Sequence, residues 1–265
     1  MHRAPWIVAL LGIGTLVAVG VAERGRRTPP PMNPARLQSG VIASPPPSEA
    51  LPTVTPAVTV ADPPLPTPAL DMMARLAVRR RLAREGSRVY LDSMLVHTDS
   101  TLTRWADRTE LTVALVADTG LAGWNPTLLD EARAAMRVWD GNESGLALRE
   151  IQNADSADIT VHWAVTLGDS GQIGVTTLGW NGQGVVHSAA INLALRRNTD
   201  SLAVAPATRA RVAAHEFGHA LGLPHSDDPD DIMYRVAPVG VPSLRDQATL
   251  RLLYAVPPGP LRIQP

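Results

Sequence analysis

The chain has 265 residues with 24 basic and 25 acidic side chains, a formal net charge of -1, so it lacks the strong positive field that nucleic acids and acidic membranes attract. It has no Cys, which excludes disulfides, thiolate nucleophiles, Cys-ligated zinc and lipoprotein acylation; any metal must be held by His and carboxylates. Apart from His, every basic side chain is Arg, which excludes Lys-based Schiff-base chemistry and points to a G+C-rich bacterial coding bias.

Residues 1–27 carry a basic start and an uncharged apolar run from Trp6 to Ala22, long for a signal-peptide core and short for a membrane span. The segment is expected to be either a signal peptide, with Gly20 and Ala22 suited to a cleavage site, or an uncleaved membrane anchor. Both place the rest of the chain outside the cytoplasm, although Arg24, Arg26 and Arg27 oppose simple export under the positive-inside tendency. Thirteen of the 24 prolines fall within residues 28–70, which reads as an extended, solvated tether that packs no core.

Residues 71–104 follow as a helical segment. Asp71 is expected to cap an amphipathic helix that carries Met72, Met73, Leu76 and Leu82, with Arg75, Arg79, Arg80, Arg81 and Arg84 on a solvated face, ending near Gly86. The segment reads either as an N-terminal brace or as a pro-segment.

From Trp105 to residue 256 the pattern is that of a mixed domain. Leu111, Val113 and Leu115 alternate with Thr112 and Ala114, as in a strand. Asn125 and Pro126 start a helix whose Leu129, Ala132, Met136 and Trp139 recur at helical spacing, and Gly141 ends it. Leu146 to Ile151 and Asp158 to Trp163 read as two strands, Gln172 to Leu178 as an edge strand, and Val185 to Leu193 as a strand after the Gly-rich turn Gly179 to Gly184. A helix is expected from Ala207 to Leu221, and Ser243 with Asp246 three residues on opens a last helix through Tyr254. Residues 257–265 remain as a C-terminal tail.

One segment carries the chemistry. His215 and His219 are four residues apart, so on a helix both imidazoles can point at a single ion. Gly222 ends that helix where a left-handed residue is cheapest, letting the chain reverse and bring His225 round as a third nitrogen ligand. Three imidazoles leave one position of a tetrahedral zinc open, the arrangement of catalytic rather than structural sites. Glu216, beside the first ligand, is the natural base for a zinc-bound water. The acceptors that must hold the other ring nitrogens have no sequence signature.

The motif His215-Glu216-x-x-His219-x-x-Gly222-x-x-His225, followed directly by Ser226, resembles the metzincin zinc endopeptidases and most of all their matrixin branch. Asp231-Ile232-Met233-Tyr234 is similar to that family's Met-turn, which implies that Met233 forms an apolar floor beneath the zinc. Ser243, Asp246, Leu253 and Tyr254 resemble the spacing of the matrixin C-terminal helix, and Ala157-Asp158-Ile159 the strand before the substrate-binding edge. The resemblance implies an α+β, zincin-like (metzincin) catalytic domain. Its parts would be a twisted mixed five-stranded sheet, an active-site helix, and a lower part with the Met-turn and the C-terminal helix. It further implies one catalytic Zn2+, protein or peptide substrates, and an extended peptide pairing with the edge strand near Gln172 to Leu178.

Departures from the family narrow what carries over. His162 and His187 do not form the ligand series of the matrixin structural zinc and read as ordinary histidines. Asp227, Asp228, Asp230 and Asp231 read as a solvated loop, so the sequence does not support calcium. The absence of Cys excludes latency through a propeptide cysteine. Arg235 stands where matrixins usually have Pro, and Val236, Val239 and Val241 are expected to supply an apolar pocket wall instead. Trp105, Trp124, Trp139, Trp163 and Trp180 read as core or rim aromatics. The leading functional expectation is a zinc-dependent endopeptidase. Two alternatives stand beside it: a tethered, catalytically idle module stabilised by its metal, and a zinc amidase acting on cell-wall peptide.

Overall fold

A helical segment, a sheet of alternating burial and two long helices follow one another along the chain. In the computed structural model the described residues are 68–262 except 143, 169 and 170. They run through α1 (Pro68–Glu85), α2 (Leu91–His97), and the two-residue strands β1 (Thr101–Leu102) and β2 (Arg104–Trp105). Next come β3 (Glu110–Leu115), α3 (Thr127–Arg137), β4 (Ala147–Ile151), β5 (Ile159–Ala164), β6 (Gly174–Trp180) and β7 (Val185–Ala194). The chain then forms α4 (Pro206–Ala220), α5 (Leu244–Tyr254) and the short β8 (Gly259–Pro260).

The sheet follows from period-two patterning. In β5 Ile159, Val161 and Trp163 are buried while Thr160, His162 and Ala164 are half-buried on the other face. β3 pairs in parallel with β4 and β5, and β5 in parallel with β7. β6 runs antiparallel along β7 and pairs with no other strand among the described residues. These are the five strands of the mixed sheet expected from the sequence. A sixth, β2, adds two residues in parallel at the start of β7.

The main core lies between the sheet and helices α3 and α4, and it includes Trp105, Leu111, Val113, Trp139, Ile159, Ile191 and Phe217. Each fully buried side chain of this size contributes roughly 1.5–3 kcal/mol. α4 packs against α3, β6 and β7, and from Val212 to Ala220 every one of its residues is buried. Two tryptophans brace it: Trp139 Nε1 donates to the carbonyl of Ala214 and Trp105 Nε1 to that of Ala220, both at 2.8 Å. The second bond satisfies a carbonyl in the last turn, where the helix supplies no partner of its own.

A second, smaller core joins Val78, Leu82, Val89, Leu91, Met94 and Leu102 to Leu252, Leu253, Val256 and Leu261. β1 pairs with β8, so the residues after α5 return to the N-terminal segment. α1 begins at Pro68, so Asp71 lies inside it and does not cap it. Met72 and Met73 are exposed, and the buried face carries Val78 and Leu82 instead, which join the second core with Leu91, Leu252 and Leu253. α5 begins as expected. Ser243 accepts from the backbone of Arg245 and Asp246, and Asp246 reciprocates in a capping box. Among the described residues no helix is long and apolar enough to cross a membrane; the run from Trp6 to Ala22 and residues 28–67 of the Pro-rich stretch expected over 28–70 lie outside the described residues.

Candidate metal centre

His215 and His219 project from one face of α4, as their spacing requires. Gly222 follows with φ +98°, a backbone angle at which any other residue is strained. A Cβ there would also stand 3.3 Å from the carbonyl oxygen of Thr103. The reversal brings His225 back, with ring centroids 4.7 Å from His219 and 5.5 Å from His215. The three histidines each offer a ligand atom within 4.8 Å of the others, and no other such group of potential metal ligands occurs among the described residues. His162 on β5 and the exposed His187 on β7 stay apart from it.

The hydrogen-bond pattern of the rings decides what they can hold. His215 Nδ1 lies 2.7 Å from the carbonyl oxygen of Ile232, and His219 Nδ1 lies 2.8 Å from that of Leu223. A carbonyl only accepts, so each Nδ1 carries the proton and each Nε2 presents a lone pair. The Nε2 atoms of all three histidines are buried without a hydrogen-bond partner. Burial pushes His215 down to about 4 and His219 well below its ordinary value. Burial also takes His225 down to about 3, with His215, Arg235 and His97 adding repulsion. Neutral imidazoles with convergent, unpartnered lone pairs fit a divalent cation of zinc's ligand preference. They make a poor set of ordinary buried polar groups, because unpaired polar atoms are costly in a core.

Glu216 is fully buried beside this group. Its Oε2 accepts from the Thr176 hydroxyl of β6 at 2.6 Å, and its Oε1 has no partner. Burial pushes the carboxyl up to about 8 against the lowering effect of that hydrogen bond. Gly174 on the same strand makes room, for a Cβ there would stand 2.5 Å from Glu216 Oε1 and 2.6 Å from Val212 Cγ1. Neither Thr176 nor Gly174 stood out in the sequence. A polar residue alternating with apolar ones on the predicted edge strand was the only available signal.

Met233 is completely buried beneath α4. A Cβ at Gly218 would collide with its sulfur, so Gly218, one of the unassigned positions of the motif, is what allows this approach. The turn is closed by Tyr234 N donating to Asp231 O at 3.1 Å and by Ser226 N donating to Met233 O at 2.9 Å. Asp231 departs from the solvated loop expected of it. It is 2% exposed and accepts from the Ser243 hydroxyl at 2.5 Å, from Arg245 at 2.8 Å and from the Ser226 hydroxyl. The reason is long-range: α5 delivers a guanidinium to a carboxylate fourteen residues earlier in the chain.

A cavity of about 520 Å³ opens beside His225, lined among others by Ser93 and His97 of α2 and by Tyr234 and Arg235 after the turn. The valines expected to wall a pocket do not line this cavity; Val239 packs against the main core and Val241 is exposed.

The matrixin family model matches residues 104–248. Over 140 residues the chain is 37% identical to a hatching enzyme of Paracentrotus lividus, covering 47% of this chain and 22% of that protein. The match therefore spans about a fifth of that relative's length.

Proposed function

Since the chain belongs to the matrixin family of peptidases, we propose that residues 105–256 form a zinc-dependent endopeptidase domain in which His215, His219 and His225 hold the metal and Glu216 is the general base. The observation that carries this reading is the convergence of three buried, unpartnered Nε2 atoms beside the fully buried carboxyl group of Glu216. A zinc ion held by that triad would supply Lewis acidity toward a peptide carbonyl and lower the pKa of water to about 7.

The chain's own groups account for the rest. The carbonyls of Ile232 and Leu223 hold two of the imidazoles in the ligating tautomer and orientation. Thr176 fixes one oxygen of Glu216, leaving Oε1 to take a proton from the attacking water and return it to the departing amine. β6, with no partner strand on its outer side among the described residues, offers backbone groups to an extended peptide. Its location next to Glu216 would lay the scissile bond across the carboxylate. Substrates in this reading are proteins or peptides met outside the cytoplasm, a placement that rests on the uncharged run from Trp6 to Ala22. Residues 28–67 would act as the tether.

Metal analysis of the purified chain, paired with digestion of a casein peptide pool with and without chelator, tests the proposal. One zinc per chain and chelator-sensitive cleavage are expected. Glu216→Gln should retain zinc and lose about two to four orders of magnitude in rate. Full activity in that variant would remove Glu216 from its role, whereas zinc retention without any cleavage by the unaltered chain would point to the idle module. Peptidoglycan fragments in the same assay address the amidase alternative.

A further inference from the structure

Two hydrogen-bonded connections run from the N-terminal segment into the metal centre. The first starts at Tyr90, a buried residue between α1 and α2, whose hydroxyl donates to Asp246 Oδ1 at 2.6 Å. Asp246 Oδ2 accepts from the backbone N–H of Ile232 at 2.9 Å, and the carbonyl of Ile232 accepts from His215 Nδ1 at 2.7 Å. The second is shorter: Ser93 Oγ of α2 lies 2.8 Å from the backbone carbonyl of His225.

Given the reading of the triad as a zinc site, on which this inference rests, we propose that Tyr90 and Ser93 are positioning residues for the metal centre. The segment from 68 to 100 is then a permanent brace of the active enzyme and not a pro-segment that must leave. A pro-segment blocks the metal position and is discarded. Among the described residues, no polar side chain of this segment hydrogen-bonds any of the three Nε2 atoms. Its hydrogen bonds reach the ligands through backbone carbonyls, while Ser93 and His97 line the cavity beside His225.

It is also part of the hydrophobic interior. Val78, Leu82, Val89, Leu91 and Met94 supply half of the second core, and the rest comes from β1, α5 and the residues that follow it. Asp246 is completely buried, so loss of the Tyr90 hydroxyl would leave a buried carboxylate oxygen without its donor, and the cost would fall on the residue that holds Ile232 in place. Arg75 and Arg81 add bonds to the carbonyls of Arg262 and Ala255, and these would be broken by departure of the segment.

The test compares the full chain with Tyr90→Phe, Ser93→Ala and Ser93→Thr. It measures zinc retention against a competing chelator, the visible spectrum of the cobalt-substituted protein, and kcat and KM on one peptide that the unaltered chain cleaves. Tyr90→Phe and Ser93→Ala are expected to weaken zinc retention by about tenfold, to shift the cobalt bands, and to lower kcat with KM changed less than twofold. Ser93→Thr, which keeps the hydroxyl, is expected to restore all three. Intact mass of the active species should include residues 68–100. Folded variants with the parent's cobalt spectrum and zinc retention would overturn the positioning role, as would activity that appears only once the segment has been cleaved off. If Tyr90→Phe does not fold, Ser93→Ala decides, since it deletes a single half-buried hydroxyl. A parent chain that binds no zinc would sink the triad reading and this inference together, whereas a zinc-loaded parent with unaffected variants sinks this inference alone.

Discussion

The Thr176 hydroxyl lies 2.6 Å from Glu216 Oε2, joining the edge strand β6 to the middle of α4 across forty residues of sequence. The bond holds one carboxyl oxygen and leaves the other without a partner, so in the proposed role of Glu216 it would set the direction of proton exchange. Thr176→Val, nearly the same shape without the hydroxyl, should lower kcat by roughly tenfold, the scale of losing a hydrogen bond to a charged group. Thr176→Ser should recover most of that loss. Steady-state kinetics on one peptide check both, and equal rates for all three proteins would separate Thr176 from the chemistry.

Gly174→Ala should damage activity and stability together. The added methyl would stand within 2.7 Å of three atoms of Glu216 and Val212, closer than packed atoms tolerate. Overpacking of this kind costs about 1–3 kcal/mol, and relief requires Glu216 and Val212, or β6 itself, to shift. Thermal melting and peptide cleavage measured on the same preparation are expected to fall in parallel; unchanged melting and rate would mean that β6 can slide outward.

Removal of metal should lower the melting temperature. A ligand that binds only the folded chain stabilises it by about 4 kcal/mol when present at a thousandfold over its dissociation constant, and the unfolded chain has no assembled triad. Chelator-treated protein should therefore melt earlier, and added zinc should restore the transition, as read by circular dichroism. Magnesium at equal concentration should not, since three neutral nitrogens are poor ligands for it.

Acid should weaken the join between β3 and β5. Partial burial raises the Asp158 carboxyl, but the Thr112 N–H and hydroxyl, with the Arg108 guanidinium, outweigh it and hold the group below its ordinary value of 3.8. A depressed folded value means that the carboxylate's contribution is fully present above pH 3.8 and disappears as pH falls through the lower folded value. Asp158→Asn should be less stable than the parent near pH 6, and the gap should narrow as the pH drops toward 2. A gap that stays constant over that range would show that the ionised form is not what matters.

Short-range features are written in the sequence and long-range ones are not. The helical pair His215 and His219, the reversal at Gly222 and the capping box of Ser243 and Asp246 were legible, because each depends on neighbours within a few residues and on backbone angles that few residue types tolerate. The alternation Ile159, Val161, Trp163 likewise announced its strand. Asp231 looks solvated from its acidic neighbours, while its burial depends on Arg245 of α5 and its N-cap Ser243. Met72 and Met73 are exposed despite their place in an apolar pattern, because amphipathic spacing does not say how far along a helix its partner surface extends.

Residue identities and spacing alone gave the alternating strands, the helices and the three imidazoles with their neighbouring carboxyl, all encoded at short range, and the motif they form carried the resemblance to the family. Tertiary structure decided which groups hold those side chains in place: the carbonyls of Ile232 and Leu223, the hydroxyl of Thr176 and the space at Gly174. A backbone carbonyl looks the same in every residue, and contacts between segments depend on strand register and helix packing, so these supports acquire an identity only once the chain has folded.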